Sequence, residues 1–172
     1  MKKILFAVLL CFISVFPFFC FGCANDDSLA LNSYEINISY EDSTKMAACH
    51  EKVDYVNVSN NAFSKLFFHL YPRAFRQGAN KDVVSNALKE KAYYGEESYG
   101  DIQIRQVKVF GKEGEFLITG EDENILEIPL FEKLFPDETV QIEIDFVLIL
   151  PHINHRFGYG DNAVNFGNFY PI

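Results

Sequence analysis

The stretch ETVQIEIDFVLILP, from Glu138 to Pro151, sets Val140, Ile142, Ile144, Phe146, Leu148 and Leu150 in unbroken alternation with their neighbours. A period of two places all six on one side of an extended chain, which predicts a long strand with that side in a core. Pro151 has no backbone N–H to give to a ladder and ends the strand.

Other segments repeat the pattern less cleanly. SYEINISYE, residues 33–41, alternates Tyr34, Ile36, Ile38 and Tyr40 with polar residues. From Met46 to Ser59 the apolar positions are Val53 and Tyr55, then Val56 and Val58, and the change of phase predicts a β-bulge. DIQIRQVKVFG, residues 101–111, slips by one residue between Ile104 and Val107. AFSKLFFHLYPRAF, residues 62–75, carries large apolar groups on both faces, which predicts a strand deep in a sheet until Pro72, with His69 as a hydrogen-bonded core histidine. GEFLITGEDENILEIPL, residues 114–130, reads as two short strands about an acidic turn at Glu121–Asn124. Only NKDVVSNALKEKAYYG, residues 80–95, has helical spacing, at Val83, Val84, Ala87 and Leu88, with Asn80 as N-cap and Gly95 beyond the end. About seven strands without alternating helices predict a mainly β fold, an antiparallel β-sandwich or saddle with one short helix.

The chain has 172 residues, 49% of them apolar, enough for one domain with a real core. Its formal charge of -9 repels phosphate backbones, so nucleic acid is excluded as a partner class. The N-terminus, MKKILFAVLLCFISVFPFFCFGCANDD, joins two lysines, an apolar run from Ile4 to Phe21, and an abrupt polar change after Cys23. That layout predicts a signal peptide over residues 1–22, a linker over 23–33 and a β domain over 34–172. Gly22-Cys23 resembles the end of a bacterial lipobox, which implies lipidation of Cys23; Cys20 and Phe21 depart from the usual residues, and the run is also long enough to remain as an uncleaved membrane anchor. Both readings predict an exported protein tethered to the extracytoplasmic face of the cell membrane. Cys11 and Cys20 lie in the apolar run, so Cys49 alone remains for the folded part and is expected to be a small buried apolar residue. Asn37 and Asn57 begin formal glycosylation sequons, without meaning in a bacterial lipoprotein.

Catalytic signals are weak. His50-Glu-Lys-Val-Asp54 has Asp54 where a zinc-peptidase motif needs its second histidine, and on a strand His50 and Glu51 face opposite ways. His152 and His155 are three apart after a strand, too few ligands for a zinc site. Gly158 and Gly160 lack the third glycine and following helix of a phosphate cradle and read as turn residues. The chain therefore offers no catalytic, metal or cofactor-binding set of its own.

Three segments carry a resemblance. VDYVNVSNNAFSKLFFHLYPRAFR, residues 53–76, looks like an early part of the N-terminal domain of M1-type zinc metallopeptidases, the aminopeptidase N and leukotriene hydrolase superfamily, with Arg73 where asparagine is usual. IPLFEKLFPDETVQIEIDFVLILP, residues 128–151, is similar to that family's turn and alternating strand, with Asp137 in place of a glycine. HRFGYGDNAVNFGNFYPI, residues 155–172, resembles the approach to its N-x-Y/F-P turn. The similarity runs from Tyr34 to Ile172 and implies a saddle-like β domain, incomplete at its C-terminus, that in full-length members packs on a thermolysin-like domain. Zinc, the H-E-x-x-H site and the glycine-x-methionine-glutamate-asparagine motif belong to that second domain, and none of those motifs occurs in this chain. The resemblance thus implies a non-catalytic region of a membrane-tethered aminopeptidase-type enzyme, with the catalytic domain or a peptide substrate as partner. The residues also allow a stand-alone, lipid-anchored β-sandwich that binds a peptide, glycan or protein, for which 18 Phe and 9 Tyr supply material.

Overall fold

The computed structural model describes residues 31–172; the expected leader and Cys23 lie outside the described residues. The strand predicted at Glu138–Pro151 is β8 (Thr139–Ile149), and it is the centre of the fold. It pairs antiparallel on one side with β2 (Met46–Val56) and on the other with β4 (Asp101–Val109). β1 (Ser33–Glu41) and β5 (Lys112–Glu113) complete a five-stranded sheet in the order β1-β2-β8-β4-β5. A second sheet, ordered β3-β7-β6, contains β3 (Phe63–His69), β7 (Ile125–Leu134) and β6 (Leu117–Thr119). A ribbon of β9 (Phe157–Tyr159) and β10 (Val164–Phe166) follows. All strand pairs are antiparallel, and the architecture is mainly β, as expected.

The five alternating residues of β8 and Leu150 just beyond it are all buried, and they join Val53, Ile102 and Val107 of their own sheet to Leu66, Phe68, Leu126 and Ile128 of the other in one core. Each fully buried aliphatic or aromatic side chain contributes about 1.5–3 kcal/mol. The alternation is therefore the main sequence signal for the sandwich, because a one-residue slip would turn this whole set to solvent.

Two of the chain's changes of sheet, from β2 to β3 and from β7 to β8, meet at one corner, and Asn57 holds it. Its Nδ2 donates to the carbonyls of Asn61 and Leu134, and its Oδ1 accepts from the N–H and hydroxyl of Ser59. Its backbone N–H donates to Glu138 O, and its carbonyl accepts from the Asp137 N–H. The exit of β2 toward β3 is thereby tied to the β7–β8 turn, where the chain returns to the larger sheet. Asn57 is fully buried, so the sequon that begins there is closed to glycan attachment. The change of phase after Tyr55 is this corner and not a bulge: β2 pairs with β8 in continuous register to Val56↔Thr139, and Val58 lies exposed beyond the strand. The second predicted slip is a true β-bulge, with the register shifting between Ile104 and Gln106.

Two other expectations are corrected. β3 is an edge strand and not a central one: it pairs only with β7, Phe67 is exposed, and so is His69, whose ring stacks on Tyr71 at 5.5 Å. The helix shrinks to a 3-10 turn at Asn86–Leu88 running into α1 (Lys89–Ala92). Asn80 does not cap it; the Asn80 side chain donates to Glu121 O and its N–H to Asp122. The segment is recruited by the β6–β7 turn instead, where Asp122 also pairs with Arg76 at 2.8 Å.

Replacing Asn57 by Ala leaves several buried backbone groups at the corner without partners, and should cost about 3 kcal/mol in a urea melt monitored by circular dichroism. In the β4–β5 turn Phe110 and Gly111 both have positive φ, 51° and 71°. Asn-Gly is the preferred pair in that geometry. Phe110→Asn should therefore raise stability by about 0.5–1 kcal/mol in the same melt.

Candidate functional site

Histidines were the first sequence candidates, and the fold separates them. His152 is clamped between Tyr94 and Tyr159, with ring centroids 4.5 and 4.7 Å away and nearly parallel planes. His155 turns to the edge of Phe75 at 5.2 Å; burial, then the charge of Arg156, lowers its pKa, and its Nδ1 is buried without a partner. Among the described residues no group of three or more His, Cys, Asp or Glu side chains is arranged to hold a metal ion. Gly158 and Gly160 are packing positions: a Cβ on Gly158 would lie 2.6 Å from Ile153 Cγ2, and one on Gly160 would run into the Tyr94 hydroxyl.

The motif-like segment at His50 is split by the sheet as its alternation requires. His50 points to the outer face and meets Asp145 at 2.7 Å, whereas Glu51 points into the core. Glu51 stands in register between Ile36 of β1 and Ile144 of β8, flanked along β2 by Cys49 and Val53. It is 0% exposed, and neither carboxylate oxygen has a hydrogen-bond partner. Burial pushes its pKa up to about 8. The Cys49 thiol is pushed up to about 12, first by burial and then by the charge of Glu51. In the sequence, its alternation with Val53 and Tyr55 is the signal that puts Glu51 on the inward face.

A wide concavity lies elsewhere. A groove of about 590 Å³ runs between the β4–β5 turn and the end of β7, floored by Val109, Leu134 and Val140 and walled by Phe110, Leu130 and Phe131. Phe110 and Phe131 are 61% and 57% exposed, and Phe135 nearby is 53% exposed. Exposed apolar rings at a groove are material for binding another apolar surface, and here Lys112, Glu132, Lys133 and Glu138 share the lining with them. Phe110 and Phe135 sit beside turns and Phe131 on the outward phase of β7, so their convergence is a product of the tertiary fold.

With this geometry in place, comparison with known proteins adds partial likenesses in shape. No family profile matches the chain, and no curated protein matches it. Among solved structures, an M1 zinc metallopeptidase variant from Deinococcus radiodurans is similar over 80% of this chain and 27% of its own length, at 12% identity and a TM-score of 0.49. A second structure of an M1 zinc metallopeptidase from the same organism covers 66% of this chain and 19% of its own, at 10% identity and a TM-score of 0.42. A substrate-bound variant, carrying Tyr-Ser-Ala, gives the same values. The chain thus spans about a fifth to a quarter of those enzymes, and nothing about its own chemistry follows from them.

Because the folded pKa of Glu51 is above its unfolded value of 4.5, the stability gained by keeping it neutral is complete below about pH 4.5 and is lost as pH rises through about 8. Thermal melts should therefore weaken across that window, and the trend should flatten in Glu51→Gln. Cys49 should resist a thiol-specific reagent at pH 8 in the native protein and react at once in denaturant, as followed by absorbance.

Proposed function

We propose that this chain is the non-catalytic N-terminal β region of an exported, membrane-tethered M1-like zinc metallopeptidase. In the intact protein it would support and wall the substrate cleft, while zinc-activated water on the second domain attacks a peptide carbonyl. One observation carries the reading. Asp137, which stands where the resembling family has a glycine, has φ 64°, the left-handed conformation that glycine adopts without strain. The segment that resembles the family in residue order thus also turns as a glycine-bearing segment would. Other residues of the matching stretches have structural duties of the kind a supporting domain needs. Asn57 pins the corner, and Arg73 ties the 3-10 turn Tyr71–Phe75 to Asp101 and Glu123.

On this reading the tether is a lipidated Cys23 or the retained apolar segment, at the extracytoplasmic face of the membrane. The purified chain should hydrolyse no aminoacyl chromogenic substrate. Sequencing of the coding DNA beyond the Ile172 codon is the test. An open frame encoding H-E-x-x-H supports the peptidase, and a stop followed by unrelated sequence overturns it. Mass measurement of the mature N-terminus tests the tether, since a diacylated cysteine is heavier than the free residue by the mass of its lipid.

A second reading has one observation in its favour, the groove bordered by Phe110 and Phe131. A lipid-anchored binding module would use such a groove for an apolar peptide or protein partner. Phe131→Ser should then lower binding of a hydrophobic dye by at least half while leaving the melting temperature within a few degrees, as expected for an exposed side chain.

A further inference from the structure

β1 is an outer strand of the larger sheet, and its free side is unlike the other rims of the two sheets. It pairs with β2 in unbroken register along all nine residues, from Ser33↔Asp54 to Glu41↔Met46. Among the described residues, no hydrogen bond links a backbone group of residues 34–40 to anything but β2. Natural sheets blunt such rims with short strands, lysine, proline or a bulge. The other rims follow that rule: β5 and β6 have two and three residues, and β3 carries Lys65 and a register shift between Phe63 and Lys65. β1 has none of these devices. It also leaves apolar area open. Tyr34 and Ile38 stand opposite the inward-facing Val53 and Cys49, yet they are 39% and 44% exposed, because among the described residues no strand lies beyond β1.

The order of residues along the strand indicates which partner fits. From Tyr34 to Tyr40 the sequence YEINISY reads almost the same in both directions about Asn37. In an antiparallel pair of two such strands centred on Asn37, Tyr34 faces Tyr40 of the second copy, Ile36 faces Ile38, and Asn37 faces itself. Directly opposed residues share one face of a sheet, so aromatic meets aromatic and aliphatic meets aliphatic on the inner side. The one break in the symmetry sets Glu35 opposite Ser39, and the strand ends set Glu41 opposite Ser33. Each carboxylate therefore meets a hydroxyl, and no two like charges are opposed. That matters for a chain of formal charge -9, which otherwise repels its own copy. Sliding the register by two residues loses this match. One direction sets Glu35 against Glu41, and the other carries Tyr40 and Glu41 past the end of the facing strand.

We propose that β1 is a self-association edge, at which two copies of this chain join β1 to β1 antiparallel about a two-fold axis at Asn37. Their five-stranded sheets then run on as one, with both inner faces on the same side. Such a contact uses the same edge of both copies, so it closes at a dimer. Main-chain bonds along the strand supply the attraction, and the small area of a single added ladder makes the contact weak and concentration-dependent.

Sedimentation of the full chain in detergent micelles, over a concentration series, reads the association. The unmodified chain should pass from monomer to dimer as its concentration rises to about 0.5 mM, and a chain that stays monomeric overturns the proposal. Asn37→Lys and Asn37→Glu each oppose like charges on the two-fold axis, and each should weaken the dimer roughly fivefold. An equimolar mixture of the two variants should restore it, because the opposed charges then differ in sign. Asn37 is exposed on the outer face, so both variants should melt within a few degrees of the unmodified chain. Equal association in all four samples would mean that another surface, the apolar N-terminal run included, joins the copies, and would overturn the edge. Asn37→Cys gives an independent reading. Mild oxidation should yield a dimer whose linked peptides map to position 37 in both chains. Lys52→Cys, on the same outer face but one strand in from the edge, should yield no such link. Linkage at 52 equal to that at 37 would mean random collision and would overturn the two-fold register.

Discussion

The amide of Asn57 is the constraint on which the two sheets depend. A sandwich made from one chain must cross between its layers, and each crossing leaves backbone groups that belong to neither ladder. Here two crossings meet at one place, the exit of β2 and the entry of β8. One buried side chain satisfies carbonyls from both and takes back a local N–H and hydroxyl. With that corner fixed, β8 enters between β2 and β4 in the register that turns its alternating apolar residues inward. The core, the burial of Glu51 and the position of the β7–β8 turn all follow from that register.

Within this frame a central ladder carries the core and the C-terminal segment packs onto it. β2, β8 and β4 pair along most of their lengths and share one apolar face. Residues 150–172 pack onto that body: Leu150, Ile153 and Phe157 enter the core, and the backbone is bonded to Lys45, Ala92 and His69.

Much of the fold was legible in the sequence because alternation is a local property. β8, the hairpin about Glu121–Asn124, the bulge near Arg105 and the buried Cys49 could each be read from a window of about ten residues. The misreadings share a cause. Phe67 on β3 looked buried because it is apolar, yet β3 is an edge, and edge status depends on where distant strands pair. Asn80 looked like a helix cap because it precedes a helical pattern, yet Glu121 and Asp122 from the second sheet claimed its hydrogen bonds. The phase change after Tyr55 looked like a bulge because a corner and a bulge leave the same mark on alternation.

The sequence by itself determined that the chain is mainly strand, the inward face of β8 and the absence of a metal-ligand or nucleophile motif, since these depend on residue type and spacing alone. Tertiary structure decided which strands became edges, which side chains converged on the groove, and how completely Glu51 is buried. Those outcomes depend on pairing over separations of up to about a hundred residues, as between His50 and Asp145, and no local window contains them. A glutamate beside a histidine reads as chemistry in a line of letters. In the folded chain the sheet sends the two to opposite faces, so that one meets solvent and the other becomes the least hydrated charge-bearing group in the core.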